Sequence, residues 1–272
     1  VKTVDLNNFS KFEDNSNDLI LKNIPVDFNH PIWILFSSGT TGKPKAITHR
    51  TGGILIEQYK SLSLHQNISD GDRFFWNTTA GWMMWNYALG SLLCGAKLCL
   101  YDGAANHPDI GVQWRFAKEA QINHFGNGSP LFIATMKQNI KDVNQMELSK
   151  LKTIGATGSP LSKDAFIWLQ DKLPKTQIIS LSGGTDVCSA FIGGCTMLPV
   201  YSGYLQCNML GAAIEAWSEN KKPVLNQTGE LVITKPLPSM PVFFWNDPNF
   251  KKYHSSYFEK NKGVWTHGDW IY

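Results

Sequence analysis

Ile32-Trp33-Ile34-Leu35-Phe36-Ser37-Ser38-Gly39-Thr40-Thr41-Gly42-Lys43-Pro44-Lys45 joins a continuous apolar run to a cluster of hydroxyls, glycines and lysines. The apolar half reads as a buried strand feeding a loop. Open α/β sheets bind ligands at the carboxyl ends of strands, and this loop is expected at such an end. Gly39 and Gly42 let the backbone turn sharply and bring N–H groups near an anion. Ser37, Ser38, Thr40 and Thr41 add hydroxyl donors, Lys43 and Lys45 add positive charge, and Pro44 stiffens the exit. Gly, Ser and Thr clusters are ordinary turn material. Four hydroxyls, two glycines and two lysines within nine residues after a strand point instead to a phosphate cradle. The glycines are too close together for a Walker loop, and Pro44 stands where Ser or Thr would follow its lysine. The first strand is not followed by G-x-G-x-x-G, and a G-x-S-x-G nucleophile elbow is absent.

Outward from this loop, strand-like and helix-like stretches alternate. Helical spacing runs from His49 to His65, and strands are expected at Arg73–Trp76, Lys97–Tyr101, Ile122–Phe125, Leu151–Ala156 and Gln177–Leu181. Helices are expected near Trp85–Cys94, Ile110–Ala120, Leu131–Asn139 (with Ser129 and Pro130 as cap and first turn) and Lys163–Lys172. Such alternation implies an α/β fold with a largely parallel, helix-covered sheet. After about Val200 the rhythm changes to strands split by Pro and Gly turns, with no helices between. The organisation expected is a linker or surface segment over residues 1–30, an α/β nucleotide-binding core over 31–205, and an incomplete β-rich subdomain over 206–272. The last residues, Asp269-Trp270-Ile271-Tyr272, read as the middle of a strand, so a piece of a longer protein is expected.

Bulk composition narrows the class. Hydrophobic residues make up 43% and charged residues 17% of the 272, an ordinary globular balance. A net charge of +3 without a dense Lys/Arg run argues against nucleic acid as a partner. No stretch approaches the ~20 apolar residues of a membrane span. The five cysteines form no C-x-x-C pair, which favours reduced thiols and a cytoplasmic location. Most of the ten tryptophans are expected to fill the core. His49, His124 and His267 show no ligand spacing and read as structural.

Four stretches, in order, resemble the signatures of the adenylate-forming superfamily of acyl-CoA synthetases, luciferases and peptide-synthetase adenylation domains. Ser37 to Lys45 resembles its phosphate loop, and Gly155-Ala156-Thr157-Gly158-Ser159-Pro160-Leu161 its adenine-side segment. Ser182-Gly183-Gly184-Thr185-Asp186 resembles its Tyr-Gly-x-Thr-Glu segment, and Trp265-Thr266-His267-Gly268-Asp269 its Tyr-x-Thr-Gly-Asp segment. Within the superfamily, Thr78 to Asn86, Leu181 to Asp186, Leu198 to Gly203, Pro238 to Val242 and Phe244 to Pro248 resemble the acetoacetyl-CoA synthetase branch. The likeness runs from about Pro31 to the end.

The resemblance implies two half-reactions. A carboxylate such as acetoacetate attacks the α-phosphorus of ATP and releases pyrophosphate; the thiol of coenzyme A then attacks the acyl-adenylate. An acetyl- or other short-chain acyl-CoA synthetase is the neighbouring reading, and a truncated nucleotide-binding piece without turnover is the alternative of another class. By the same resemblance, Ser38, Gly39, Thr40, Thr41, Gly42 and Lys45 would hold the ATP phosphates, and Thr185 and Lys45 would serve the reaction at the α-phosphate. Asp186 would hold Mg²⁺, and Asp269 the ribose hydroxyls. Gly158, Ser159 and Pro160 would flank adenine, while Trp82, Met83, Gly183 and Gly184 would line the acyl pocket. Ser182 stands where an aromatic residue is usual, and Asp186 where Glu is usual. The mobile C-terminal domain, with its catalytic lysine and part of the coenzyme A site, would lie beyond Tyr272.

Overall fold

In the computed structural model, which describes residues 23–37, 44–138, 143 and 147–272, the strand before the phosphate loop belongs to a hairpin. β1 (Pro31–Ser37) pairs antiparallel with β2 (Lys45–Arg50), with Ser37 opposite Lys45. Ser38, Gly39, Thr40, Thr41, Gly42 and Lys43 lie outside the described residues. The expected buried strand is therefore half-exposed: β1 is an edge strand, and Phe36 is 66% exposed. An apolar run without alternation reports hydrophobicity but not which sheet, or which edge, receives it.

β2 leads directly into α1 (Thr51–Tyr59), which continues as π-helical turns over Lys60–His65. The parallel sheet follows. Its strands are β3 (Arg73–Trp76), β4 (Lys97–Leu98), β5 (His124–Gly128), β6 (Thr153–Thr157) and β7 (Gln177–Ser180), in the spatial order β4-β3-β5-β6-β7. Every pairing in it is parallel. The helices between these strands are α2 (Met83–Gly90), α3 (Val112–Glu119), α4 (Ser129–Lys137) and α5 (Lys163–Lys172). One core unites α3, α4 and α5 with the sheet around Trp114, Phe125, Phe132, Ile154 and Leu169. A second joins α1 and α2 to the sheet through Ile54, Phe74, Trp76, Tyr87 and Ile179. Trp76 lies across two neighbouring strands because both present glycine: a Cβ at Gly126 or Gly155 would come within 2.0 or 2.5 Å of its ring.

Local signals account for the helix ends unevenly. The Ser162 hydroxyl accepts from the Ala165 N–H at 3.3 Å, and Asp164 and Lys172 complement the dipole of α5 at its two ends. At α4 the expected cap is displaced. Gly128 occupies the cap position, and Ser129, inside the helix, donates its hydroxyl to Ser159 O at 2.6 Å. That bond ties the helix to the loop after β6.

At the opposite, amino-terminal edge of the sheet, buried His124 bridges Asp72 Oδ2 at 3.0 Å and Thr153 Oγ1 at 2.8 Å, and Lys152 closes on Asp72 Oδ1 at 2.7 Å. Both ring nitrogens of this histidine are thus used within the fold. Burial pushes its pKa below the usual 6.5, with Lys152 assisting, and the Asp72 hydrogen bond and charge only partly oppose this. Just below pH 6.5 the unfolded chain therefore binds more protons than the folded one, and stability falls on acidification through that window. Asp72, held below the carboxylate range, adds a loss of the same sign at lower pH. His124→Gln is expected to flatten the dependence of unfolding temperature on pH just below 6.5. An unchanged slope would remove His124 from the acid response.

Beyond β7 the sheets are antiparallel. β8 (Ser182–Gly184), β9 (Ser189–Gly193) and β10 (Cys207–Asn208) form one sheet. β11 (Ile214–Trp217) and β12 (Gly229–Ile233) begin another, and β13 (Phe243–Phe244) crosses to pair with β2. A helix, α6 (Lys251–Tyr257), then precedes β14 (Trp265–Ile271), which completes the sheet with β12. The helix-free expectation for this region thus fails at α6. A third core, with Ile47, Phe191, Ile233, Phe244, Tyr257 and Trp265, binds these pieces together. All five cysteines are free. Among the described residues, no helix is long and apolar enough to cross a membrane.

Candidate active site

The carboxyl ends of β6 and β7 open into a cavity of about 420 Å³. Gly158, Ser159 and Pro160 line it from the loop after β6, Ser182 and Gly183 from β8, and Asp269 and Trp270 from β14. A second, smaller cavity of about 130 Å³ is lined by Trp82, Met83, Met84, Tyr87, Gly184 and Thr185. The two share Thr157, Gly158, Leu181 and Gly183, so they are contiguous. The residues expected around adenine and ribose thus fall in the larger space, and those expected around the acyl group, with Thr185, in the smaller one.

Two backbone features build the shared wall. Gly158 adopts φ +84, a left-handed conformation that favours glycine. A Cβ there would sit 3.8 Å from the ring of Trp82, an ordinary contact, so the backbone conformation and not the approach of α2's cap residue asks for glycine. Thr157 donates its hydroxyl to Leu181 O at 3.0 Å, which fixes the end of β6 to the turn between β7 and β8.

Beside the smaller cavity, Lys45 Nζ lies 2.5 Å from Asp186 Oδ1. The Tyr257 hydroxyl donates to the same oxygen. The Lys45 ammonium stands 5.0 Å from the Tyr257 ring centroid, and that ring stacks on Trp265 at 3.6 Å. Burial works to raise the Asp186 pKa. The charge and hydrogen bond of Lys45 and the hydrogen bond of Tyr257 more than offset it, leaving the carboxyl below its ordinary range. Tyr257 itself is pushed far up, first by burial and then by the Asp186 charge, so it stays a phenol and a donor. Below them His49 Nε2 donates to Asp186 O at 3.0 Å, and burial pushes its pKa down to about 4. His267 completes the group. Its Nδ1 accepts from Trp265 Nε1 at 3.3 Å, and its Nε2 stands 3.6 Å from Asp269 Oδ2.

Tyr257, His49 and His267 are therefore part of this site, although spacing marks none of them. For His49 and His267 the only signal available is adjacency to a motif, His49 four residues after Lys45 and His267 inside the Trp265–Asp269 stretch. Tyr204 supplies an aromatic ring to the larger cavity, which Ser182 also lines.

Among the described residues, no group of three or more His, Cys, Asp or Glu side chains could hold a metal ion. The donor set suits Mg²⁺ all the same, because this cation keeps waters and phosphate oxygens and needs only one or two carboxylates. Among the described residues, both hydrogen bonds to the Asp186 carboxylate reach Oδ1, which leaves Oδ2 to a cation.

The strand-end cleft thus holds two contiguous chambers of unequal size, with the Lys45–Asp186 pair next to Thr185 on the wall of the smaller. A family model described as AMP-binding enzyme matches residues 2–241, and the chain belongs to that family. Among particular relatives, the acetoacetyl-coenzyme A synthetase of Rhizobium meliloti (strain 1021) is 43% identical over 252 residues, 92% of this chain and 38% of that protein. The acetoacetyl-CoA synthetase of Mus musculus is 43% identical over 246 residues, 90% of this chain and 37% of that protein. The solved structure of acetoacetyl-CoA synthetase from Streptomyces lividans superposes with a TM-score of 0.87 at 46% identity, covering 90% of this chain and 39% of that one. The chain spans about 38% of the length of the R. meliloti relative.

Proposed function

We propose that this protein is an acid–thiol ligase that activates acetoacetate with ATP and transfers the acyl group to coenzyme A. The observation that carries this reading is the pair of contiguous cavities meeting at Gly183, with Thr185 lining the smaller one and Lys45 and Asp186 beside it. The acetoacetyl-CoA synthetases described above support the choice of acid. In the first step a carboxylate oxygen bonds to the α-phosphorus and the bond to the β-phosphate bridge breaks, releasing pyrophosphate. In the second, the sulfur of coenzyme A bonds to the acyl carbon, the thiol loses its proton, and AMP leaves.

Little acid–base chemistry is needed; the demands are charge neutralisation and in-line placement. Lys45, Thr185 and the loop residues Ser38, Gly39, Thr40, Thr41 and Gly42 would hold the phosphates. Asp186 Oδ2 would take Mg²⁺, which screens the triphosphate charge. Asp269 would accept from the ribose hydroxyls and Gly158, Ser159 and Pro160 would flank adenine. Trp82 and Met83 would close the acyl chamber over Gly183 and Gly184, leaving room for a short acid only. The organisation into a nucleotide-binding core over 31–205 and a β-rich part over 206–272, and a cytoplasmic location, belong to the same reading.

The test is a panel of carboxylates with ATP, Mg²⁺ and coenzyme A, assayed on the full-length protein. Acetoacetate is expected to exceed acetate, propionate and butyrate in kcat/KM by about 10-fold or more, the difference that pairing one buried polar group makes. A preference for acetate would sink the substrate assignment and leave adenylate formation standing.

A further inference from the structure

His267 carries a donor that no described residue uses. Because the Trp265 indole N–H donates to Nδ1, the ring proton sits on Nε2. At 3.6 Å, Asp269 Oδ2 is too far for a hydrogen bond, and no other acceptor meets Nε2 among the described residues. A histidine retained for structure alone would turn this N–H onto a protein acceptor, as His124 does with Asp72.

The ring is held in place. Its side chain is only 8% exposed, and it packs edge-to-face on Phe191 at a centroid distance of 4.8 Å. The free edge faces glycine: a Cβ at Gly184 would lie 3.2 Å from both Cε1 and Nε2. Gly184 lines the acyl-sized cavity and Asp269 the nucleoside-sized one. The N–H therefore stands between a wall residue of each chamber, on the side of Gly184 left open by its missing side chain.

We propose that His267 is a substrate-contacting donor whose Nε2–H binds an anionic oxygen at the bond being made between the carboxylate and the α-phosphate. The proposal rests on the acid-activation reading above and adds to it a residue and a contact. Trp265 is then a positioning residue: it selects the tautomer, and its own orientation is set by the stack with Tyr257.

The experiment compares His267→Gln, whose amide can place an N–H near the position of Nε2, with His267→Leu, which cannot donate. Both are made in the full-length protein and followed by acetoacetate-dependent ATP–pyrophosphate exchange. Binding of an acyl-sulfamoyl-adenosine, a nonhydrolysable acyl-adenylate mimic, is measured in parallel by calorimetry. His267→Leu is expected to lower kcat by about 10- to 100-fold with the KM for ATP little changed, and to weaken mimic binding by a similar factor. His267→Gln is expected to recover most of both losses. Exchange within twofold of wild type for His267→Leu would overturn the contact. Equal losses in the two variants, accompanied by equal drops in unfolding temperature, would assign His267 to packing against Phe191 instead. If the wild-type protein shows no exchange with any carboxylate, the activation reading fails, and the mimic-binding comparison still decides the role of His267.

Discussion

Lys45→Ala in the full-length protein is expected to slow carboxylate-dependent ATP–pyrophosphate exchange by about 10²- to 10³-fold, the usual loss when one preorganised charge or donor is removed from a developing anion. Lys45 opens β2, and its ammonium is held by Asp186, the residue after Thr185, and by the Tyr257 ring. Entry of a triphosphate would bring a competing anion to this cation, and Mg²⁺ a competing cation to Asp186. The pair thus keeps two otherwise costly, partly buried charges neutralised until the substrate takes over both roles. Removing Lys45 also leaves Asp186 with the Tyr257 hydrogen bond but no cation. Because the two side chains remain 22% and 15% exposed, the stability cost is set at about 1–3 kcal/mol, below that of a fully buried pair. Lys45→Arg separates the effects, since it restores charge and stability without restoring the geometry of a compact ammonium. Exchange that survives Lys45→Ala within a few-fold would remove this residue from phosphate binding.

The parallel sheet is legible from local features, and the residues that line the two cavities only through the resemblance. The helix Lys163–Lys172 is bracketed by Ser162, Asp164 and Lys172, and the residues around Gly158, Gly183 and Asp269 sit in short motifs whose order matches their resemblance. The features that escape are those made by distant pairing. Lys45 and Asp186 are 141 residues apart, and Tyr257 and Asp186 are 71 apart. Nothing in the spacing of Lys251–Tyr257 links that helix to the Ser182–Asp186 stretch. Its first turn offers no acidic residue, and the carboxylate that accepts from its Lys252 and Tyr253 N–H groups, Asp247, stands three residues before the cap position, so its existence is weakly signalled. β1 misleads for the opposite reason. Ile32 to Phe36 is uniformly apolar, and only the pairing with β2 shows that it forms the edge of a hairpin. His267 is overlooked because a histidine inside a motif has no period of its own; its tautomer becomes readable once Trp265 is seen beside it.

Gly183→Ala is expected to do more damage than any other single-methyl change in the cleft, both to stability and to activity. Gly183 pairs with Ala190 across the antiparallel β8–β9 ladder, next to an irregularity in register at Ser182. A Cβ built on it would lie 2.0 Å from Ser189 O and 2.5 Å from Ala190 Cα. Both are backbone atoms, so no rotamer change can relieve the contact, and the strands must separate. The φ of Gly183 is not left-handed, which makes close approach, not conformation, the reason for glycine here. Overpacking of this kind costs about 1–3 kcal/mol, a fall in unfolding temperature of roughly 2–12 °C for a domain of this size. The functional loss is larger than the thermal one, because the strand shift is transmitted to both cavities: Gly183 lines each of them, and Ser189 and Ala190 line the smaller. Ser189 also donates to buried Glu57 at 2.9 Å, so movement there loosens the α1 side of the wall as well. Gly184→Ala is the control. Its nearest neighbour is the His267 ring at 3.2 Å, a side chain that can yield by a few tenths of an ångström. It should unfold within a few degrees of wild type while impairing exchange through His267. Measured unfolding temperatures that rank Gly184→Ala below Gly183→Ala would show that the β8–β9 contact is not what requires glycine at position 183.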